Sequence, residues 1–162
     1  MLQFIVAVVV SFLLFYFILY FHEMGHAFFA IIFTKHEVKI RFGGKLDKKS
    51  LKIGRLVICL NGFSPYYGSV HWDNESLSTI KRILIYLGGP IFSLMLSLLL
   101  WKLIRCGIFS YVNEGIMQFI FLWSVWQFIA TITPIKYTKF FGGYEGMNSD
   151  GLNAFNIFNE QI

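Results

Sequence analysis

The chain has 162 residues, enough for one domain built from a handful of helices. Apolar residues make up 56% and charged residues 14%, against about 25% charged in an average soluble domain, which excludes an ordinary water-soluble globule. The formal net charge of +5 sits in loops between apolar runs, a placement that suits anionic lipid head groups and argues against a nucleic-acid partner.

In chain order, the first apolar segment runs from Leu2 to Phe33. It exceeds the roughly 20 residues a helix needs to cross ~30 Å of hydrocarbon, and it lacks the basic start and small-residue cleavage site of a secretory signal. It is therefore predicted to be a retained membrane span. The β-rich loop that follows, about residues 35–75, has a different texture. Val38 to Phe42 and Leu51 to Ile53 alternate apolar with basic residues, and Leu56 to Leu60 is a short β-prone run before Asn61-Gly62. These predict two or three strands in a small sheet at the membrane surface.

Two further apolar segments, Ile83 to Ile104 and Ile116 to Thr133, complete a predicted core of three transmembrane helices. Beyond Pro134 a glycine-rich irregular stretch, Phe141 to Gly151, precedes a short amphipathic helix with Leu152, Phe155, Phe158 and Ile162 on one face. Twelve of the fourteen Lys and Arg lie in the loop or the tail, with Lys102 and Arg105 on the other side. The positive-inside rule then places the loop and the C-terminus in the cytoplasm and the N-terminus outside. Cys59 and Cys106 show no metal-ligand spacing and read as small apolar fillers.

The first span contains His22-Glu23-Met24-Gly25-His26. On a helix, residues four apart emerge on one face, so the two imidazoles can bind one zinc ion. Glu23 is offset by about 100° and remains free to act on a water that the ion activates. Three ionisable groups inside a span cost about 2.5–3.5 kcal/mol each even on the mild insertion scale, so a functional reason is expected for them. A catalytic zinc takes three protein ligands, and the topology restricts the third to the loop and tail side. Asp150 meets that condition. Asn148-Ser149-Asp150 also reads as a helix N-terminus, and the residues alone leave capping and ligation equally open.

HEMGHAFFA, with Gly25 inside the motif and Ala30 one turn beyond His26, resembles the HExGHxxxA signature of the site-2 protease family of intramembrane zinc metallopeptidases. Gly88-Gly89-Pro90 in the second span is similar to that family's glycine-proline helix segment, and Asp150-Gly151 to its aspartate-glycine motif. Ser93 stands where the family commonly has asparagine, and residues 135–149 intervene between Pro134 and the aspartate that usually follows a proline closely.

The resemblance implies a zinc endopeptidase, with Zn2+ (one ion) held by His22, His26 and Asp150 and with Glu23 as the catalytic base. Its partners would be the lipid bilayer and a membrane-embedded protein or peptide substrate, cut within or beside a transmembrane or leader segment. The implied setting is the bacterial cytoplasmic membrane, in signalling relays or leader-peptide processing. The alternative is a non-catalytic membrane protein that keeps the metal site for folding, metal handling, peptide export or immunity. No substrate-binding residue is identified.

Overall fold

The computed structural model describes residues 1–43, 50–61, 67–73, 77–107 and 114–160. Three helices dominate: α1 (Leu2–Phe33), α2 (Thr79–Arg105) and α3 (Glu114–Ile132). All three are long and apolar enough to cross a membrane, over Val8–Phe33, Thr79–Arg105 and Gly115–Ile132. Large apolar side chains such as Val9, Leu13, Leu98, Trp101 and Leu122 point outward, as a surface in contact with lipid requires. Polar side chains inside the spans bond to their own helix, with Ser97 Oγ donating to Ser93 O and Ser124 Oγ to Ile120 O, both at 2.7 Å.

Glycines set the crossing of α1 on α2. A Cβ added at Gly25 would lie 2.3 Å from the Gly88 carbonyl oxygen, and one at Gly88 would lie 2.5 Å from that of Gly25. The two backbones touch, which only residues without side chains allow. Pro90 is fully buried in α2, which continues as helix through it.

Between α1 and α2 lie four strands, β1 (Val38–Gly43), β2 (Ser50–Ile53), β3 (Leu56–Asn61) and β4 (Gly68–His71), in the order β2-β3-β1-β4. β1 runs parallel to β3 and antiparallel to β4, while β2 is antiparallel to β3. The alternation in β1 buries Val38, Ile40 and Phe42 against Ala27, Ala30 and Ile85, so the sheet is pinned to the C-terminal half of α1 and the start of α2. Arg55 adds a polar tie, donating to the carbonyls of Thr34 and Ile31 at the end of α1, where helical carbonyls otherwise lack partners. Both cysteines are free thiols.

β4 was not foreseen; with four residues and one strongly β-prone side chain, Val70, it falls below what alternation can reveal. α4 (Asp150–Asn159) buries Gly151, Ala154 and Ile157. Of the stripe read as packing on the bundle or lying at the interface, Phe155 and Phe158 turn outward and are more than half exposed, and Ile162 lies outside the described residues. The physical reason is close approach: a Cβ at Gly151 would lie 1.8 Å from the Ile132 carbonyl oxygen, so the small-residue face is the one that fits against the bundle. The phenylalanines are left for the membrane interface.

Candidate metal centre and its cavity

His22 and His26 project from α1 toward α2, and each ring is fixed by its Nδ1. His26 Nδ1 lies 2.8 Å from the Ile85 carbonyl oxygen, an obligate acceptor, so this nitrogen carries the hydrogen. His22 Nδ1 lies 2.9 Å from Ser93 Oγ, a hydroxyl able to accept the corresponding hydrogen. Both Nε2 lone pairs are thereby left facing a common point, the arrangement metal-binding histidines show. α2 supplies this frame from one face, using Ile85, Gly89 and Ser93 at four-residue spacing. Gly89 makes the room, since a Cβ there would lie 2.3 Å from His26 Nε2 and 2.6 Å from His22 Nε2.

Asp150 reaches the same point from α4. The 15 residues between Pro134 and Asp150 form a closed excursion whose ends are clasped together. Ser149 Oγ donates to Thr133 O at 2.6 Å and accepts from the amides of Ile135 at 3.2 Å and Leu152 at 3.1 Å. Tyr137 N donates to Met147 O and Gly146 N to Tyr137 O, both at 2.9 Å. Ser149 is thus the cap of α4, which frees the Asp150 carboxylate to face the histidines. Gly151 allows that first turn to sit against the end of α3.

The resulting triangle has edges of 3.2 Å (His22 Nε2 to Asp150 Oδ2), 3.3 Å (His22 Nε2 to His26 Nε2) and 3.4 Å (His26 Nε2 to Asp150 Oδ2). Tetrahedral bonds of about 2.0–2.1 Å place ligand atoms about 3.3 Å apart, so this donor set fits a zinc ion without rearrangement. Among the described residues, these three form the one group of His, Cys, Asp and Glu side chains placed to share an ion. Other ligand candidates are engaged elsewhere: Glu37 with Lys52 at 2.8 Å and His36 with Asp73 at 3.6 Å. Asp47 and Glu75 lie outside the described residues.

Glu23 is buried beside the triangle, and Gly68 at the start of β4 rests on it, since a Cβ there would lie 2.6 Å from Glu23 Oε1. All four side chains line one cavity of about 800 Å³. Its walls include Trp123 and Trp126 of α3, residues 68–72 of β4 and its sequel, and Tyr137, Phe141 and Tyr144 of the excursion. The glycine-rich stretch therefore lines the site, chiefly with aromatic rings. The tryptophans pack and wall the cavity as well; Trp123 meets Phe15 edge-on at 4.6 Å.

Gly68 and Tyr144 were not singled out by sequence as parts of a site; Ser93 was noted only for standing where the family commonly has asparagine, and Ser149 only within a helix N-terminus. Ser93 alone had a readable signal, a polar residue one turn beyond Gly89 in an apolar span.

A helical core long and apolar enough to cross a membrane, with a His-His-Asp triangle and an adjacent glutamate, is the arrangement expected of a membrane metallopeptidase. Comparison with known proteins agrees: the model of peptidase family M50 matches residues 10–153, and the chain belongs to this family, the site-2 proteases. It is similar to the zinc metalloprotease Rip2 of Mycobacterium tuberculosis, in both the Erdman and the H37Rv strains, with 35% identity over 86 residues. That match covers 49% of this chain and 33% of the relative, so the chain spans about a third of the curated relatives' length. No solved structure matches.

Proposed function

We propose that the protein is an intramembrane zinc endopeptidase that hydrolyses a peptide bond within or beside a transmembrane or leader segment of another protein or peptide. The observation that carries this reading is the 3.2–3.4 Å triangle of His22, His26 and Asp150 with buried Glu23 beside it in a shared cavity. In this reading residues 1–162 act as one domain. The basic loop and tail face the cytoplasm of a bacterial cell and the N-terminus faces outward.

His22, His26 and Asp150 would hold one Zn2+, which when bound supplies the positive charge that activates water and polarises the scissile carbonyl. Glu23 takes the proton from the attacking water as its oxygen bonds to the carbonyl carbon, and returns it to the amine nitrogen as the C–N bond breaks. The aromatic walls limit bulk water.

A helical substrate hides its peptide bonds, so the segment to be cut must be extended. Pairing with a sheet edge holds it so. Among the described strands β1 and β3 have partners on both sides; β2 and β4 are the edges, and β4 is the one in the cavity wall.

The alternative, a non-catalytic metal-binding membrane protein, has no use for Glu23 buried beside the triangle. Glu23→Gln separates the two. Proteolysis is expected to fall by about 10²–10⁴-fold, the usual worth of a general base, with metal content unchanged. Asp150→Ala is expected to abolish activity and metal binding while leaving membrane insertion intact. Undiminished cleavage by Glu23→Gln refutes the endopeptidase assignment.

A further inference from the structure

In an antiparallel pair, alternate residues turn their amide and carbonyl toward the partner strand and away from it. Gly43 N donates to Tyr67 O at 3.0 Å, and the register continues as Phe42 opposite Gly68 and Arg41 opposite Ser69. Gly68 therefore points its N–H and C=O away from β1, out of the sheet's open edge. By the same alternation Val70 does so next.

At Gly68 that edge is taken. The Tyr144 hydroxyl accepts from Gly68 N at 2.7 Å and donates to Gly68 O at 3.1 Å. An opposing residue on a further strand would make the same two bonds with its own C=O and N–H. One phenol oxygen thus completes the pair that a peptide would complete. Burial, and then the Glu23 charge, pushes the Tyr144 phenol well above its ordinary pKa, so it keeps the proton it donates. The position matters because Gly68 rests on Glu23.

We infer that Tyr144 is a placeholder for substrate backbone: its phenol occupies the Gly68 pairing position on the open edge of β4, beside Glu23, and an extended substrate segment displaces it. This rests on the endopeptidase reading above and names the chain's own competitor for the substrate.

The segment carrying Tyr144 is built to release. In the short 3₁₀ stretch Lys139–Tyr144 only Phe141 and Tyr144 are partly buried, and the other four residues are exposed. Gly142 (φ 55°) and Gly146 (φ 79°) flank the tyrosine in left-handed conformations with open space around them. Withdrawal asks the ring to leave its stack on Tyr67, 5.5 Å between centroids, and its tilted contact with Tyr137 at 5.8 Å. The freed Gly68 groups then pair with the incoming peptide, so the exchange conserves hydrogen bonds.

The test is peptide binding to the zinc-loaded full chain carrying Glu23→Gln, in nanodiscs, read by fluorescence anisotropy with a labelled apolar decapeptide. A second decapeptide, N-methylated at alternate residues, is unable to pair with a strand edge. Adding Tyr144→Phe removes the competing hydroxyl and is expected to tighten the unmethylated peptide by about two- to tenfold, the net worth of one hydrogen bond, without affecting the methylated one. Tyr67→Leu, which removes the stack and leaves the hydroxyl, is expected to act in the same direction and serves where Tyr144→Phe does not fold. In otherwise wild-type chain, Tyr144→Phe should lower KM. A fall in kcat at constant KM would instead make Tyr144 a structural support for Glu23 and overturn the inference. Unchanged or weakened binding, equal tightening of both peptides, or no binding by any form also overturns it. Binding is measured without turnover in the Glu23→Gln chain, so a chain with Glu23 intact that binds the peptide but never cleaves it refutes the endopeptidase reading separately.

Discussion

Gly89→Ala tests the metal centre through a residue that carries no chemistry. The new Cβ would lie 2.3 Å from His26 Nε2 and 2.6 Å from His22 Nε2, where ordinary contact begins at 3.4 Å. The imidazoles must retreat by about 1 Å, several times the ~0.2 Å within which metal–ligand distances are held. Zinc affinity is expected to fall by 100-fold or more, beyond the roughly 10- to 100-fold that follows from losing a ligand's supporting hydrogen bond.

The fold should persist, because the atoms in the way are the ends of side chains that can turn. Gly25→Ala makes the contrast: its Cβ would lie 2.3 Å from a backbone carbonyl, which has nowhere to go. That variant is expected to lose about 1–3 kcal/mol or more of stability through overpacking. Chelator competition and elemental analysis report the metal, and thermal unfolding in detergent reports the fold. Gly89→Ala protein with wild-type zinc affinity would refute the placement of both imidazoles against α2.

Ser93→Ala removes the acceptor 2.9 Å from His22 Nδ1 and is expected to weaken zinc binding by about 10- to 100-fold in the same competition assay. Ser93→Asn, which offers an acceptor again, should restore part of it. Ser149→Ala deletes a helix cap and leaves the Thr133 carbonyl without its 2.6 Å donor, so thermal unfolding should register a loss of about 1–2 kcal/mol. Metal content should fall with it, because Asp150 is the next residue; a stable Ser149→Ala protein with full zinc would show that the clasp does not position the carboxylate.

The sequence by itself determined the parts of this protein that rest on local periodicity and composition. Three runs of apolar residues long enough to cross hydrocarbon became α1, α2 and α3, because a chain in lipid must satisfy its backbone internally and a helix does so. The His22–His26 spacing put both imidazoles on one face for the same local reason. Alternation marked β1, β2 and β3.

Only the tertiary structure decided what depends on distant segments meeting. Ser149 took the capping role that the sequence left open to Asp150, since the hydroxyl alone reaches the Leu152 amide and the end of α3 at once. Residues 135–149 appear as a long separation along the chain, yet their ends are clasped together, and only that closure brings Asp150 to the histidines. Gly68 looks ordinary in sequence, and Gly89 and Ser93 were marked there only by resemblance, without a role at the histidines. What distinguishes each is the atom packed against it from another element, and a one-dimensional pattern holds no record of that neighbour.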